Sequence, residues 1–460
     1  MATSAAWLTA REIVVALLLL GSIVVSFLAA SAAPTPMYAL YAAHWGFSPL
    51  ATTVVFGVYA LAVLAGLLIF GRLSDHAGRR PVLLAGLAGQ ALAMVLFLTA
   101  SGLGTLMAAR VVQGLAAGLS LGAAGAAMLD LDRRRGALAN SFAPGVGTGS
   151  GALVSAFAVQ YLPSPTHLIY LVLIGVFAFQ AVGVLAMRET APARRGARRE
   201  ALRSMIPDIR LPAAVRAEVA IAAPVLFAVW ALAGFYASLG PSLTATLLHS
   251  SSVVYGGLSL FILAGVAAAA VLAFNRAEPR PVLFLSIGAL IAGVAVTLAA
   301  DSADSAAGFF AGTAIAGVGF GGGFQGGIRL VIPLAGERER AGVLSLLYVV
   351  SYLGLGVPAV VAGVLVTEVN GLLDTAREYG VAVIVLAVLA LAGLLLTRKA
   401  ESPVQDAGSV AYVDAGDGTW AVQGDADDDV PVPGRLEEQA LPCGAGVAGL
   451  DADRAGIAAD

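Results

Sequence analysis

Apolar runs free of charge alternate with short basic stretches along the first 400 residues. Ile13 to Gly71 contains no Asp, Glu, Lys or Arg. A breaker-rich stretch, Ala33-Pro34-Thr35-Pro36 through Gly46-Phe47-Ser48-Pro49, divides that run. Each part then matches the roughly 20 apolar residues a helix needs to cross hydrocarbon. The pattern recurs from Gly136 to Met187, split at Leu162-Pro163-Ser164-Pro165, and from Val219 to Asn275, split at His249-Ser250-Ser251-Ser252. Pro81 to Leu129 is interrupted by Ser101-Gly102-Leu103-Gly104 and one charge, Arg110. Pro281 to Ile328 breaks at Asp301 and Asp304, and Ala341 to Thr397 between Glu368 and Glu378. Six such hairpins predict an all-α membrane protein of twelve transmembrane helices.

Composition agrees: 59% of the 460 residues are hydrophobic and 12% charged, and the mean hydropathy is +0.89. A water-soluble globule has too little interior for that much apolar surface, so lipid is the expected surroundings. The net charge of -3 hides an uneven distribution. From Glu401 onward 13 acids face only Arg435 and Arg454, whereas the preceding residues carry an excess of bases. Residues 401–460, with Asp425-Ala426-Asp427-Asp428-Asp429, are expected to form an acidic, disordered tail that cannot build a core. Cys443, the sole cysteine, lies in that tail, so neither disulfides nor thiolate metal sites are expected within the membrane body.

Bases set the expected orientation, since Lys and Arg accumulate on the cytoplasmic side. Arg11, the 72–80 loop, Arg133 to Arg135, residues 188–216, Arg276 with Arg280, Arg338 with Arg340, and Arg398 with Lys399 all fall in alternate connections. The other connections contain only Arg377. Both termini are therefore expected on the cytoplasmic side of the cell's inner (plasma) membrane. Ile13 to Leu28 followed by Ala-Ala-Ser-Ala-Ala also has the form of a cleavable signal peptide, but cleavage would unpair the first hairpin.

Arg80-Pro81-Val82-Leu83 recurs as Arg280-Pro281-Val282-Leu283, each opening the third helix of its half. The predicted organisation is thus a six-helix half at 1–187, a basic cytoplasmic linker at 188–217, a second six-helix half at 218–400 and the tail. The linker's basicity suits contact with anionic lipid.

Between the second and third helices stands Gly71-Arg72-Leu73-Ser74-Asp75-His76-Ala77-Gly78-Arg79-Arg80. It resembles the signature loop of the major facilitator superfamily, Gly-x-Leu-x-Asp-x-x-Gly-Arg-Arg/Lys. The resemblance implies two pseudo-symmetric six-helix bundles, alternating access, and a gating role for Gly71, Asp75, Gly78, Arg79 and Arg80. In it Asp75 latches onto the start of the eleventh helix near Arg340-Ala341 and onto an arginine among 133 to 135. Arg110-Val111-Val112-Gln113-Gly114 is similar to the superfamily's fourth-helix Arg-x-x-Gln-Gly motif, which implies proton coupling through Arg110, Gln113 and Gly114. An arginine at membrane depth costs about 2.5–3.5 kcal/mol on insertion scales, and capping backbone carbonyls is the plainer alternative role. Pro144-Gly145-Val146-Gly147-Thr148-Gly149-Ser150-Gly151 is similar to the fifth-helix motif of the drug:proton antiporter branch, although Ala143 stands where that motif has glycine.

The first helix of each three-helix unit lines the cavity in that superfamily, which makes Ser22, Ser26, Trp230, Tyr236 and Gln325, with Tyr348 and Tyr352, the expected substrate residues. Few polar and several aromatic groups suit an apolar or amphipathic small molecule. No Asp or Glu lies centrally in any predicted helix; Glu12, Asp130, Asp132 and Glu218 sit near the ends. The only lysine is Lys399, which excludes a phosphate-binding loop and a lysine-bound retinal. The chain is thus expected to be a transporter and no enzyme, with no cofactor or metal, a proton gradient as energy source, the bilayer and a small molecule as partners, no nucleic acid, and a monomeric state. Efflux is the expected direction. Uptake of a polar or anionic metabolite, with Arg110 as anion ligand, is one rival, and a non-transporting sensor or scaffold is another.

Overall fold

The computed structural model describes residues 9–191, 198–396, 412–414 and 420–422. Twelve of its helices are long and apolar enough to cross a membrane. They are numbered here α1 (Ala10–Ala32), α2 (Pro49–Phe70), α3 (Arg79–Leu98), α4 (Leu103–Leu131), α5 (Arg133–Tyr161) and α6 (Pro165–Ala186), then α7 (Arg216–Ser238), α8 (Val254–Ala273), α9 (Pro279–Ser302), α10 (Ala306–Val331), α11 (Arg340–Glu368) and α12 (Gly371–Leu396). The end of the bundle that carries the arginine-rich connections is termed the basic face, and the opposite end the far face.

Two helix breaks fall differently from the pattern. The proline-rich stretch after α1 is a single 3-10 turn, Thr35–Met37, and the chain then continues as a short helix, Tyr38–Trp45. The second half repeats this: α7 stops at Ser238 and a short helix, Gly240–Leu247, follows before the serine-rich turn. Prolines make such breaks because they lack the N–H that the carbonyl four residues back would accept. In the linker, Arg198–Ser204 forms a helix that the sequence pattern did not indicate. In the tail, Tyr412–Asp414 pairs antiparallel with Trp420–Val422; the rest of the region expected to be disordered lies outside the described residues.

The repeat extends into side-chain packing. In the first half Ser120 of α4 fills the space that a Cβ would take at Gly86 of α3. In the second half the partners are exchanged, with Ser286 of α9 against Gly322 of α10. Small residues let helices approach closely where apolar lipid gives no hydrophobic drive to associate.

The two halves meet along two seams. On the first, Gly57 of α2 admits Val360 of α11, Gly363 of α11 admits Thr53, and the Leu50 backbone N–H donates to Thr367 Oγ1 at 3.2 Å. On the second, Gly257 of α8 lies against Ala152 and Ala156 of α5, Gly145 lies against Ala264 and Ala268, and the Val253 N–H donates to Gln160 Oε1 at 3.2 Å. These contacts run from the far face to about the middle of the bundle.

Candidate functional site

Arg110 is fully buried in the first half. Its Nε donates to Tyr38 Oη at 2.9 Å and its Nη2 to the same oxygen at 2.5 Å. Nη1 donates to the Ser31 carbonyl at 2.9 Å and to Gln113 Oε1 at 2.7 Å. The guanidinium carbon lies 5.0 Å from the Tyr59 ring centroid and 5.5 Å from those of Tyr38 and Phe97. No ion pair to Arg110 occurs among the described residues.

Local sequence explains this arrangement. Pro34 has no N–H to give the Ala30 carbonyl, and Gln113 Nε2 donates to that oxygen instead, at 3.0 Å. The next carbonyl, Ser31, takes Arg110, and Ser155 Oγ donates to the Ala33 carbonyl. The proline break thus exposes three carbonyls that α4 and α5 cap. Hydrogen bonds to a charged group contribute about 1.5–3 kcal/mol each, so two of the four offset an insertion cost of about 2.5–3.5 kcal/mol. Carbonyl capping, the plainer role for this arginine, is present in the structure. Gly114, next to the pair, brings α4 within contact of Tyr59 and Val63 on the α2 backbone.

Around this nest stand residues that the sequence reading passed over. Tyr41 and Tyr170 share a hydrogen bond at 3.1 Å, and Gln90 Nε2 donates to the Gln113 carbonyl at 3.2 Å. The signal for Tyr38 was the proline break itself, which places the next residues beside α4.

The second half holds an aromatic box. Trp230 of α7 meets Phe320 and Phe324 of α10 edge-on at 5.7 and 5.4 Å, and the Tyr352 ring of α11 at 5.5 Å. Tyr352 also packs against the core that contains Tyr59, so the box reaches across the first seam. Trp230 Nε1 and Gln325 Oε1 are buried without a partner among the described residues. Tyr348 lies one turn before Tyr352 on α11, on the same face. Phe320 and Phe324 were not among the expected substrate residues; both lie in the glycine-rich stretch 317–327 of α10.

Other expected cavity residues point elsewhere. Ser26 Oγ donates to Gln180 Oε1 of α6 at 3.0 Å, and Gln180 Nε2 donates to Ser22 Oγ at 3.1 Å. Both serines therefore serve the α1–α6 contact, because a lone glutamine in an apolar helix needs partners for both ends of its amide. Tyr236 is buried and shares a 2.8 Å hydrogen bond with Thr313, away from Trp230.

At the start of α3, Arg79 is nearly buried and donates to Asp75 at 2.5 Å, Ser74 at 2.6 Å and Asp130 of α4 at 3.2 Å. Asp75 thus pairs with Arg79 across the Gly78 break, while Arg340 donates to the Ala335 carbonyl and Arg135 pairs with Asp132. The latch implied for the start of α11 is not made in this conformation, because the local partner is nearer. Glu189, just beyond α6, accepts from the backbone N–H of Arg79 at 2.9 Å and of Arg80 at 3.0 Å, capping α3. Arg80 in return donates to the Val184 and Leu185 carbonyls at the end of α6. Gly78 has a φ of 94°, a backbone that L side chains avoid, and a Cβ there would stand 2.9 Å from Glu189 Oε2. Gly71 closes α2 as its C-cap.

The Major Facilitator Superfamily sequence model matches residues 18–321. A comparison with curated proteins gave no match. Among solved structures, the nucleoside transporter NupG, in a mutant form, is 13% identical with a TM-score of 0.65, over 82% of this chain and 99% of that one. A bacterial homolog of the human lysosomal transporter Spinster, inward-facing and unoccupied, is 14% identical with a TM-score of 0.64, over 84% and 97%. The human organic anion transporter MFSD10 (TETRAN) is 16% identical with a TM-score of 0.59, over 83% and 100%. At these identities the likeness shows the fold.

Proposed function

Since this chain belongs to the Major Facilitator Superfamily, we propose that it is a secondary transporter that exports hydrophobic or amphipathic small molecules by alternating access, at the expense of a proton gradient. The observation that carries this reading is the aromatic box. Trp230, Phe320, Phe324 and Tyr352 gather at the seam between the halves, where rocking would change their exposure. Such walls favour planar apolar surface, with the unpartnered indole N–H as the polar handle.

Arg110 has its place in this scheme as a fixed charge. A guanidinium does not release its proton in proteins, so its part lies in the α1 break that it holds. Asp75, joined through Arg79 to Asp130, tunes the gate on the basic face. With that face in the cytoplasm, as the distribution of bases favours, the seams described above close the outward half in the present conformation.

That no acid pairs with Arg110 among the described residues favours a second reading, uptake of an anionic metabolite that supplies the missing charge. Against it, four of the five guanidinium N–H groups are engaged and the side chain is wholly buried.

Vesicles bearing the protein, given pH gradients of either sign and offered aromatic dyes and organic anions in turn, separate the two. Gradient-driven dye movement that Arg110→Ala abolishes and Asp75→Asn reduces supports export. Anion movement without dye movement favours uptake, and a protein that moves neither under any gradient is no transporter of these classes.

A further inference from the structure

The linker does more than join the two halves. It leaves α6 through Glu189, whose carboxylate caps α3, and Thr190, whose hydroxyl donates to Asp130 at 3.3 Å. Its helix Arg198–Ser204 then lies against the short helix Ser74–Ala77 of the signature loop. Beyond that helix, Asp208 accepts from Arg210 Nε at 2.7 Å and stands 3.9 Å from Arg72 Nη1. Arg210 is seated on the start of α11. Its backbone N–H donates to the Gly342 carbonyl at 3.2 Å, and its side-chain stem fills the space that a Cβ on Gly342 would take. Val215, a few residues on, is buried with Val343 and Leu347 of α11. The end of the linker is therefore built into the second half, while Arg72 belongs to the first.

We propose that residues 205–210 form a clasp across the basic face, in which Asp208, carried by the second half, fastens Arg72 of the first half and holds the molecule in the state with a sealed far face. The contact implied between Asp75 and the start of α11 is absent here, and the linker occupies the start of α11 instead. Asp208 suits the task because Arg210 fixes its carboxylate through Oδ1 and leaves Oδ2 toward Arg72. The same hydrogen bond raises the Arg210 pKa above its ordinary value. An exposed ion pair has a modest effect, enough to shift a two-state population by about two- to fivefold. That size suits a device that tunes an equilibrium without locking it. The proposal rests on the alternating-access reading, and Asp208 acts as a positioning residue.

Its test needs no substrate. In a Cys443→Ser background, Leu50→Cys and Thr367→Cys report closure of the far face by their rate of disulfide formation in membranes. Asp208→Asn keeps the acceptor for Arg210 and removes the charge that faces Arg72; Arg72→Gln removes the other charge. Each single change, and the two together, is expected to slow cross-linking by the same factor of about two to five at low salt, with the difference lost at about 1 M salt, where screening acts within about 3 Å. Equal amounts of protein in the membrane show that folding is intact. Unchanged rates in both single variants overturn the clasp, and so do effects that multiply in the double variant. Failure of the transport reading looks different: no substrate moves in the unaltered protein, whatever the cross-linking rates.

Discussion

Tyr38→Phe removes one oxygen and nothing else, yet that oxygen accepts two N–H groups of a fully buried guanidinium. The aromatic face 5.5 Å from Arg110 Cζ remains, as do the bonds to Ser31 and Gln113. Each charge-assisted bond contributes about 1.5–3 kcal/mol, and a buried charged donor without a partner keeps its full desolvation penalty. The two bonds share one acceptor, so their combined loss is nearer one bond and a half than two, roughly 2–4 kcal/mol. Domains of 150–250 residues lose about 2–4 °C of melting midpoint per kcal/mol, and each six-helix half falls within that size. The expected drop is therefore roughly 4–16 °C. Thermal unfolding of the purified protein in detergent, followed by fluorescence-detected size exclusion, measures it. In an Arg110→Met background the same tyrosine change should cost far less, because the donors are gone. A Tyr38→Phe protein that melts with the unaltered one, or an equal loss in both backgrounds, refutes the hydrogen-bonded nest as the support of Arg110.

Three further outcomes follow from the packing. Gly78→Ala forces a side chain into the region near φ 94°, ψ 155° and against the Glu189 carboxylate, a backbone conformation that costs other residues about 1–3 kcal/mol. Faster proteolysis within the 71–80 loop is the expected sign, and an unchanged digestion pattern argues against the cap. Ser286→Ala removes a buried hydroxyl that has no partner among the described residues and is expected to leave the melting point unchanged or higher, since no bond is lost; a fall of several degrees would mean that an unseen acceptor exists. Trp230→Ala empties the centre of the aromatic box, so dye transport should fall by about tenfold, while melting falls by roughly 6–20 °C, since such a truncation costs about 3–5 kcal/mol. Undiminished transport would place the substrate elsewhere.

The apolar runs alone determined the twelve membrane-length helices, because a chain in lipid must satisfy its backbone within each segment and few solutions exist. Short motifs marked the signature loop and Arg110 in the same way, since charge and glycine stand out in so apolar a sequence. What surrounds those residues was decided by the tertiary structure. Ser22 and Ser26 read as cavity groups, but which side of α1 they serve depends on how that helix is rotated, and Gln180 settles it. Asp75 has arginines on several sides in the sequence, and only the folded loop selects Arg79. Tyr38, Glu189, Phe320, Phe324 and Asp208 belong to no spaced pattern and gain their roles from partners tens to over a hundred residues away. In an apolar chain periodicity tells little about which face of a helix turns inward, because lipid and protein interior accept the same side chains. Close packing and the few polar groups that need partners make that choice, and both exist only once the helices have assembled.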